Sequence, residues 1–216
     1  MAGTSKAEQF QKTQRILLDT ARELFTKKGY AGTSTEEIVR RSKMTRGALY
    51  YHYKDKADIF AAVFEEVRAD SAQFIRGKMK AAADDGADVW QQATVGCHAF
   101  IESALTPSMQ RIVHTDGPSV LDWPVVQRSG PGLALLRKAL GQLMDEDIIE
   151  KMPLTPLAHV LWGTFFEAGV YIAHADDVAA SQEETSKLLV RLLAGLRVRV
   201  PDVYIDTQIG FGATQS

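Results

Sequence analysis

The sequence predicts an all-α fold in two parts: an N-terminal three-helix unit with a helix-turn-helix, and a larger C-terminal helical bundle. Three observations predict it. Apolar residues recur at three- and four-residue spacing in one segment after another, with no strand–helix–strand alternation. Helix caps and stops punctuate those segments. The charge is also divided, with 12 Lys+Arg against 7 Asp+Glu in residues 1–60, although the whole 216-residue chain carries only -2. A basic head on an acidic body is the layout of a chain that presents one end to nucleic acid.

The first ten residues are polar and are expected to fray. In residues 13–30, Leu17, Ala21, Leu24 and Phe25 follow helical spacing, Lys27 and Lys28 fill the last turn, and Gly29 ends the helix. Ser34 to Glu37 reads as a capping box that opens a short helix with Ile38 and Val39 on its apolar side. Ser42-Lys43-Met44 breaks the pattern, and Thr45 caps a second short helix. The amides of Arg46 and Gly47 then lie at a positive dipole end, where a phosphate fits. Gly47 lets the helix start approach a base edge closely. Leu49 points inward, while Tyr50, Tyr51 and His52 offer polar tips and Lys43, Arg46, Lys54 and Lys56 supply charge for phosphates. Alone, this pattern fits either a DNA groove or an ordinary surface hairpin. The flanks favour DNA, because Asp55 caps a long helix running through Ile59, Phe60, Val63, Phe64 and Val67 towards Lys80, which tethers the hairpin to a larger body.

Beyond Asp84-Asp85-Gly86 the spacing predicts helices over residues 88–105, 106–114, 133–149, 155–175 and 181–198. Thr106-Pro107 starts the second of these, and Asp116-Gly117-Pro118 turns the chain. Ser181 to Glu184 is a further capping box. The helix from residue 155 is apolar over about half its circumference, so it is buried on more than one side. It is either central to a monomer core or part of a helical interface. The tail from Pro201 is irregular.

Composition excludes several classes. A single cysteine rules out an intramolecular disulfide framework and fits a reducing cytoplasm. No segment has the apolar length of a membrane span. There is no glycine-rich phosphate loop, no H-E-x-x-H, no G-x-S-x-G and no CxxC, and the histidines at 52, 98, 114, 159 and 174 are scattered. Cys97 and His98 are adjacent and point in different directions on a helix, which argues against a metal or haem site. The expectation is no enzyme, no cofactor and no metal.

Two runs, ARELFTKKGYAGTSTEEIV and TRGALYYHYKDKADIF, carry a resemblance to the N-terminal domain of TetR-family transcriptional regulators. It covers residues 11–71, with the helix-turn-helix over 34–53. The resemblance implies a ligand-binding and dimerisation domain over 72–200, with 201–216 as a tail. It also implies DNA contacts from Thr35, Thr45, Arg46, Gly47, Tyr50, Tyr51, His52 and Lys56. Met44 departs from the small polar residue often found before the recognition helix, and His52 has an alternative role in capping carbonyls at a helix end.

The ligand pocket is expected among Trp90, His98, Ile101, Glu102, Met109, Val113, Trp123, Leu136, Trp162, Phe166 and Glu167, with His114 and Tyr171 as further polar candidates. Glu167 either meets a cationic ligand or bonds Tyr171 or a partner chain. The dimer interface is expected at Leu161, Phe165, Ile172, Leu189, Leu192, Leu193 and Leu196. The implied function is a cytoplasmic homodimeric repressor, released from a pseudo-palindromic double-stranded DNA operator by a small, largely apolar or aromatic effector. A regulator without a small-molecule inducer, or a helical protein-interaction module, remains an alternative.

Overall fold

A computed structural model describes residues 5–122, 126 and 128–198. The expectations for Trp123 and for the tail over 201–216 therefore lie outside the described residues. Among the described residues the elements are helical, apart from one isolated antiparallel bridge between Ile149 and Arg197. The all-α expectation holds.

The first helix, α1 (Lys6–Lys28), begins well before the expected start. Ser5 and Glu8 form a complete capping box, the Ser5 hydroxyl accepting from the Glu8 amide at 3.2 Å and the Glu8 carboxylate from the Ser5 amide at 2.7 Å. The residues expected to fray are thus held from Ser5 onward. Gly29 ends α1 at φ 72°, a conformation that costs a side-chain-bearing residue energy.

α2 (Thr35–Ser42) is capped by Ser34, but the expected capping box is only half formed. The Glu37 carboxylate pairs with Lys28 of α1 at 2.6 Å instead of returning to the Ser34 amide. That lysine holds the carboxyl below the usual carboxylate range. Lys43 makes the joint in the left-handed region, at φ 56°. α3 (Arg46–His52) follows, with Thr45 accepting from the Ala48 amide at 3.1 Å. α4 (Lys56–Asp84) is capped by Asp55, which accepts from Asp58 at 2.8 Å, and it ends where Gly86 takes φ 88°.

α5 (Val89–Ala104) opens on a second complete capping box, between Asp88 and Gln91. The next segment corrects the sequence reading. Met109–Asp116 is a π-helix rather than an ordinary turn of helix, and its wider turn sets Met109, Ile112, Val113 and His114 inward together. Asp116-Gly117-Pro118 does not turn the chain either, because Gly117–Val120 continues as the short α6.

α7 (Pro131–Asp145) stops short of Ile149. Asp147 adopts φ 52°, and Ile149 leaves the helix to pair with Arg197. α8 (Leu154–Ala173) lies near its expected limits. α9 (Val178–Ala194) begins three residues before Ser181, because Asp177 is the cap and accepts from the Ala180 amide at 3.0 Å. Ser181 is buried inside the helix.

Two hydrophobic cores result. The first joins Leu17, Leu24 and Phe25 of α1 to Ile38, Leu49 and the stretch of α4 from Ile59 to Val67. It also takes Met109, Ile112 and Val113 from the π-helix, so the head's core does not stop near residue 71. The second joins Ile75 to α5, α7, α8 and α9. α4 runs through both cores, and the π-helix packs on α1, α4 and α8. Any shift of the π-helix is therefore felt in both.

Candidate functional site

The outer face of α3 is the first candidate. Leu49 is fully buried and fixes the helix in the core, which leaves Arg46, Gly47, Tyr50 and Tyr51 facing outward. Tyr51 is 77 % exposed and Tyr50 is 42 % exposed. The Arg46 guanidinium lies over the Tyr50 ring at 5.5 Å, which holds a cation and a phenol side by side at the helix start. The space beside Gly47 is clear apart from the Thr45 hydroxyl. Thr35 stands, half-buried, at the first turn of α2. Met44 is turned inward against the head's core, which explains an apolar residue at that place.

His52 and Lys56 sit differently from the expectation. The His52 ring packs on Phe10 of α1 at 4.3 Å, and its Nδ1 is buried without a hydrogen-bond partner among the described residues. Burial pushes its pKa down. His52 braces α1 against α3, and it caps no carbonyl in the described contacts. The Lys56 ammonium donates to the carbonyl oxygens of Tyr30 and Thr33, each at 3.0 Å, and lies 4.1 Å from the Tyr30 ring centre. Its charge is committed to the turn after α1.

That turn is a junction. The Asp116 carboxylate at the end of the π-helix accepts from the Tyr30 amide at 2.7 Å and from the Arg111 Nε at 3.2 Å. The Arg111 guanidinium lies across Gly29, where any Cβ would overlap it. Gly29 thus serves two needs, its positive φ and this close approach. A continuous set of contacts runs from the π-helix through Asp116, Tyr30 and Lys56 to the start of α4. The sequence reading missed Arg111 and Asp116 because their partners lie far away in the chain.

The second candidate is a pair of adjoining cavities in the bundle. The larger, about 60 Å³, is walled by apolar groups from α4, α5, α7, α8 and α9. Of the expected pocket residues it takes Leu136 and Trp162, together with Phe165, which was expected at the interface. Cys97 also lines it, and burial pushes the thiol up to about 12. The smaller cavity, about 30 Å³, takes Met109, Val113, Trp162 and Phe166, with Arg68, Ser71 and His114 as its polar groups. The two share Ile75, Phe100, Gly132 and Trp162.

The other expected pocket residues lie elsewhere. Trp90 packs beneath the Arg197 guanidinium at 4.6 Å, and Ile101 is core. His98 is exposed, with Nδ1 2.6 Å from the Ser186 hydroxyl. Glu102 pairs with Lys78 at 3.3 Å. Glu167 is exposed on the opposite side of α8 from Phe165. Sequence spacing made all of these apolar-flanked positions equivalent, and only packing separated them. Arg68 was missed although a signal existed, since it falls four residues after Phe64 on the buried stripe of α4.

His114 is the outlier of the smaller cavity. It is 3 % exposed, and neither ring nitrogen has a hydrogen-bond partner among the described residues. Each such buried group costs about 1–3 kcal/mol. Burial, with a smaller contribution from His174, pushes its pKa down to about 4. An unfolded imidazole takes up its proton as pH falls through about 6.5, whereas the native ring stays neutral until about 4. The native state is therefore favoured above that window and loses ground as pH falls through it. Between pH 7 and 4.5 the wild type is expected to lose about 2–3 kcal/mol more stability than His114→Gln, read by urea unfolding. Parallel losses in the two proteins would show a solvated ring.

The expected interface needs the most correction. Leu161, Phe165, Ile172, Leu189 and Leu193 are buried in the chain's own core, so they present no surface to a partner. Leu196 is half-buried, and Leu192 alone of that set is plainly exposed, at 44 %. The exposed apolar face of the same two helices carries Val160, Tyr171, Leu188 and Leu192, with open space at Gly163. Among the described residues no helix is long and apolar enough to cross a membrane.

Comparison with known proteins places these features. Residues 17–63 match the family model described as bacterial regulatory proteins, tetR family, and residues 90–196 match a tetracyclin repressor-like C-terminal domain. A solved TetR-family transcriptional regulator from Pectobacterium atrosepticum is 32% identical, with a TM-score of 0.76, over 90% of this chain and 98% of that one. The HTH-type transcriptional regulator AcrR of Shigella flexneri is 43% identical over 65 residues, 30% of either chain. The HTH-type transcriptional regulator QacR of Staphylococcus aureus is 47% identical over 47 residues, 22% of this chain and 25% of that one. These curated relatives are thus matched over less than a third of their own length.

Proposed function

The chain belongs to the TetR family of transcriptional regulators, and from that premise we propose that it is a homodimeric, sequence-specific repressor, working in the cytoplasm and released from its operator by a small, largely apolar effector. The observation that carries this reading is the α3 face. Leu49 anchors it from within, while Arg46, Gly47 and Tyr50 stand clear on its outer face. In this reading Arg46, Gly47 and Tyr50 approach base edges. Thr35, Thr45 and Tyr51 contact phosphates, and His52 and Lys56 support the face more than they touch DNA. A two-fold dimer through the exposed faces of α8 and α9 would set two such heads at half-sites about one helical turn apart, or at a spacing adjusted by bending.

An effector in the paired cavities touches the π-helix, and the π-helix holds the turn after α1 through Asp116. A coupling of about 1–3 kcal/mol along that route changes operator affinity five-fold to hundred-fold.

The test is a selection of bound DNA sequences followed by footprinting. Arg46→Ala is expected to weaken binding to the selected site by about 1–3 kcal/mol, and Tyr50→Ala to relax its sequence preference. Asp116→Ala should bind operator and respond poorly to effector. Equal affinity for selected and scrambled DNA would remove the reading in favour of a protein-interaction module. Sequence-specific binding that no apolar compound alters would favour a regulator without an inducer.

A further inference from the structure

An apolar cavity gains nothing from a bare imidazole, yet the bundle is built to hold one. His114 is buried with both ring nitrogens unpartnered among the described residues. Its Cε1–Nε2 edge lies against Gly169 of α8, where a Cβ would stand 2.6 Å from Nε2. A glycine therefore makes the room that the ring occupies. The other lining side chains with polar atoms are Arg68, Ser71 and the Trp162 indole, and among the described residues no carboxylate lines the cavity. Arg68 is 8 % exposed and pairs with Glu65 at 2.8 Å, on the outer side of α4, and with the carbonyl oxygens of Val126 and Ser129. Ser71 is already paired with the Ser103 hydroxyl at 2.7 Å and Arg68 with Glu65, so His114 is the group of this lining whose nitrogens lack a hydrogen-bond partner among the described residues. A neutral imidazole carries one N–H and one bare nitrogen, so the group that complements it is a carboxyl, which brings an acceptor oxygen and a proton together. The adjoining cavity, with Leu136, Leu140 and Phe165, is almost wholly apolar, Cys97 and Trp162 being the lining residues with a polar atom.

Resting on the reading of this bundle as the effector site, we propose that the effector is an apolar weak acid: a hydrocarbon or aromatic body that enters the larger cavity by parting its apolar walls, since the closed space of about 60 Å³ is smaller than such a body, ending in one carboxylate received by His114 in the field of Arg68. The carboxylate enters together with one proton from solvent, shared with the imidazole, so that the head is buried as a neutral pair. His114 lies on the π-helix two residues before Asp116, which puts the recognised group on the same short element as the contact that holds the DNA-reading head.

The test uses the full chain at pH 7, with octanoate, 4-phenylbutyrate and naphthalene-2-carboxylate, each beside its primary amide. Binding is read by calorimetric titration, and the His114 imidazole is followed by nitrogen NMR. At least one acid is expected to bind about ten-fold or more tightly than its amide, the worth of one charge-assisted hydrogen bond. The NMR signal should move towards the imidazolium position when it binds. In His114→Leu the acid's advantage over its amide should collapse, and in His114→Gln it should survive in part. Cooperative melting of both variants checks that they fold, and Gln serves where Leu does not.

Amides that match or exceed their acids, or an advantage that survives His114→Leu, would overturn the proposal while leaving the bundle as an effector site. Absence of binding by every acid would also overturn it. The DNA-binding reading is judged separately, by the footprint, which needs no effector.

Discussion

Replacing Leu188 and Leu192 together by glutamate is expected to yield a folded monomer that binds its operator about 100-fold more weakly or worse. The two leucines stand at 56 % and 44 % exposure on α9, which packs on α8, itself carrying the exposed Val160 and Tyr171. In a two-fold interface each residue meets its own copy or a close neighbour, so two substitutions place four carboxylates in one desolvated patch. The chain's own core loses nothing, because neither side chain enters it. Without the partner, the second half-site contact no longer benefits from tethering, which is the source of the expected loss.

Sedimentation and footprinting read the two effects. Leu189→Glu is the internal contrast. One position along the helix from Leu188, but only 3 % exposed, it should unfold the bundle rather than divide it. A double glutamate variant that remains dimeric at micromolar concentration would move the interface off this face.

Phe60→Ala is expected to cost about 3–5 kcal/mol of stability, a large share of what a domain has. Phe60 is fully buried and meets Phe25 and Tyr30 edge-on, each with ring centres 5.1 Å apart. Tyr30 in turn carries the Asp116 and Lys56 contacts. Truncation therefore opens a cavity in the head's core and loosens the junction between head and π-helix. Denaturant unfolding should show a lowered midpoint, and operator binding should weaken even where the protein remains folded. Gln73→Ala, at an exposed site on α4 away from the α8–α9 face, should change stability by less than about 0.5 kcal/mol. A Phe60→Ala loss no larger than that would mean the head's core collapses around the gap.

The head was largely legible in the sequence because its signals are short-range. Ser34, Thr45 and Asp55 each cap an amide three residues away, and Gly29 stops a helix by its own backbone freedom. Such contacts form before any distant part of the chain arrives. Where the reading failed locally, two good caps competed or a distant charge intervened. Asp177 displaced Ser181, and Lys28 drew Glu37 away from its box. The Ser5–Glu8 box was readable in the same way and was passed over because its surroundings are polar.

The bundle was legible only in outline. α8 and α9 read as apolar over too much of their circumference to say which side faces a neighbour. The chain's own packing took Leu161, Phe165, Leu189 and Leu193, and left Val160, Tyr171, Leu188 and Leu192 outside. The π-helix was not readable at all, since its wider turn depends on what Met109, Ile112, Val113 and His114 meet inside.

By itself, then, the sequence determined an all-α chain with a basic helix-turn-helix head, because periodicity, capping and charge act over a few residues. Tertiary structure decided the rest: which faces are spent on the core, where two small cavities meet, that a histidine with no hydrogen-bond partner among the described residues lines the smaller of them, and that Asp116 ties its helix to the head. Those depend on contacts between residues as far apart as Tyr30 and Asp116, whose proximity only the folded packing of the helices creates.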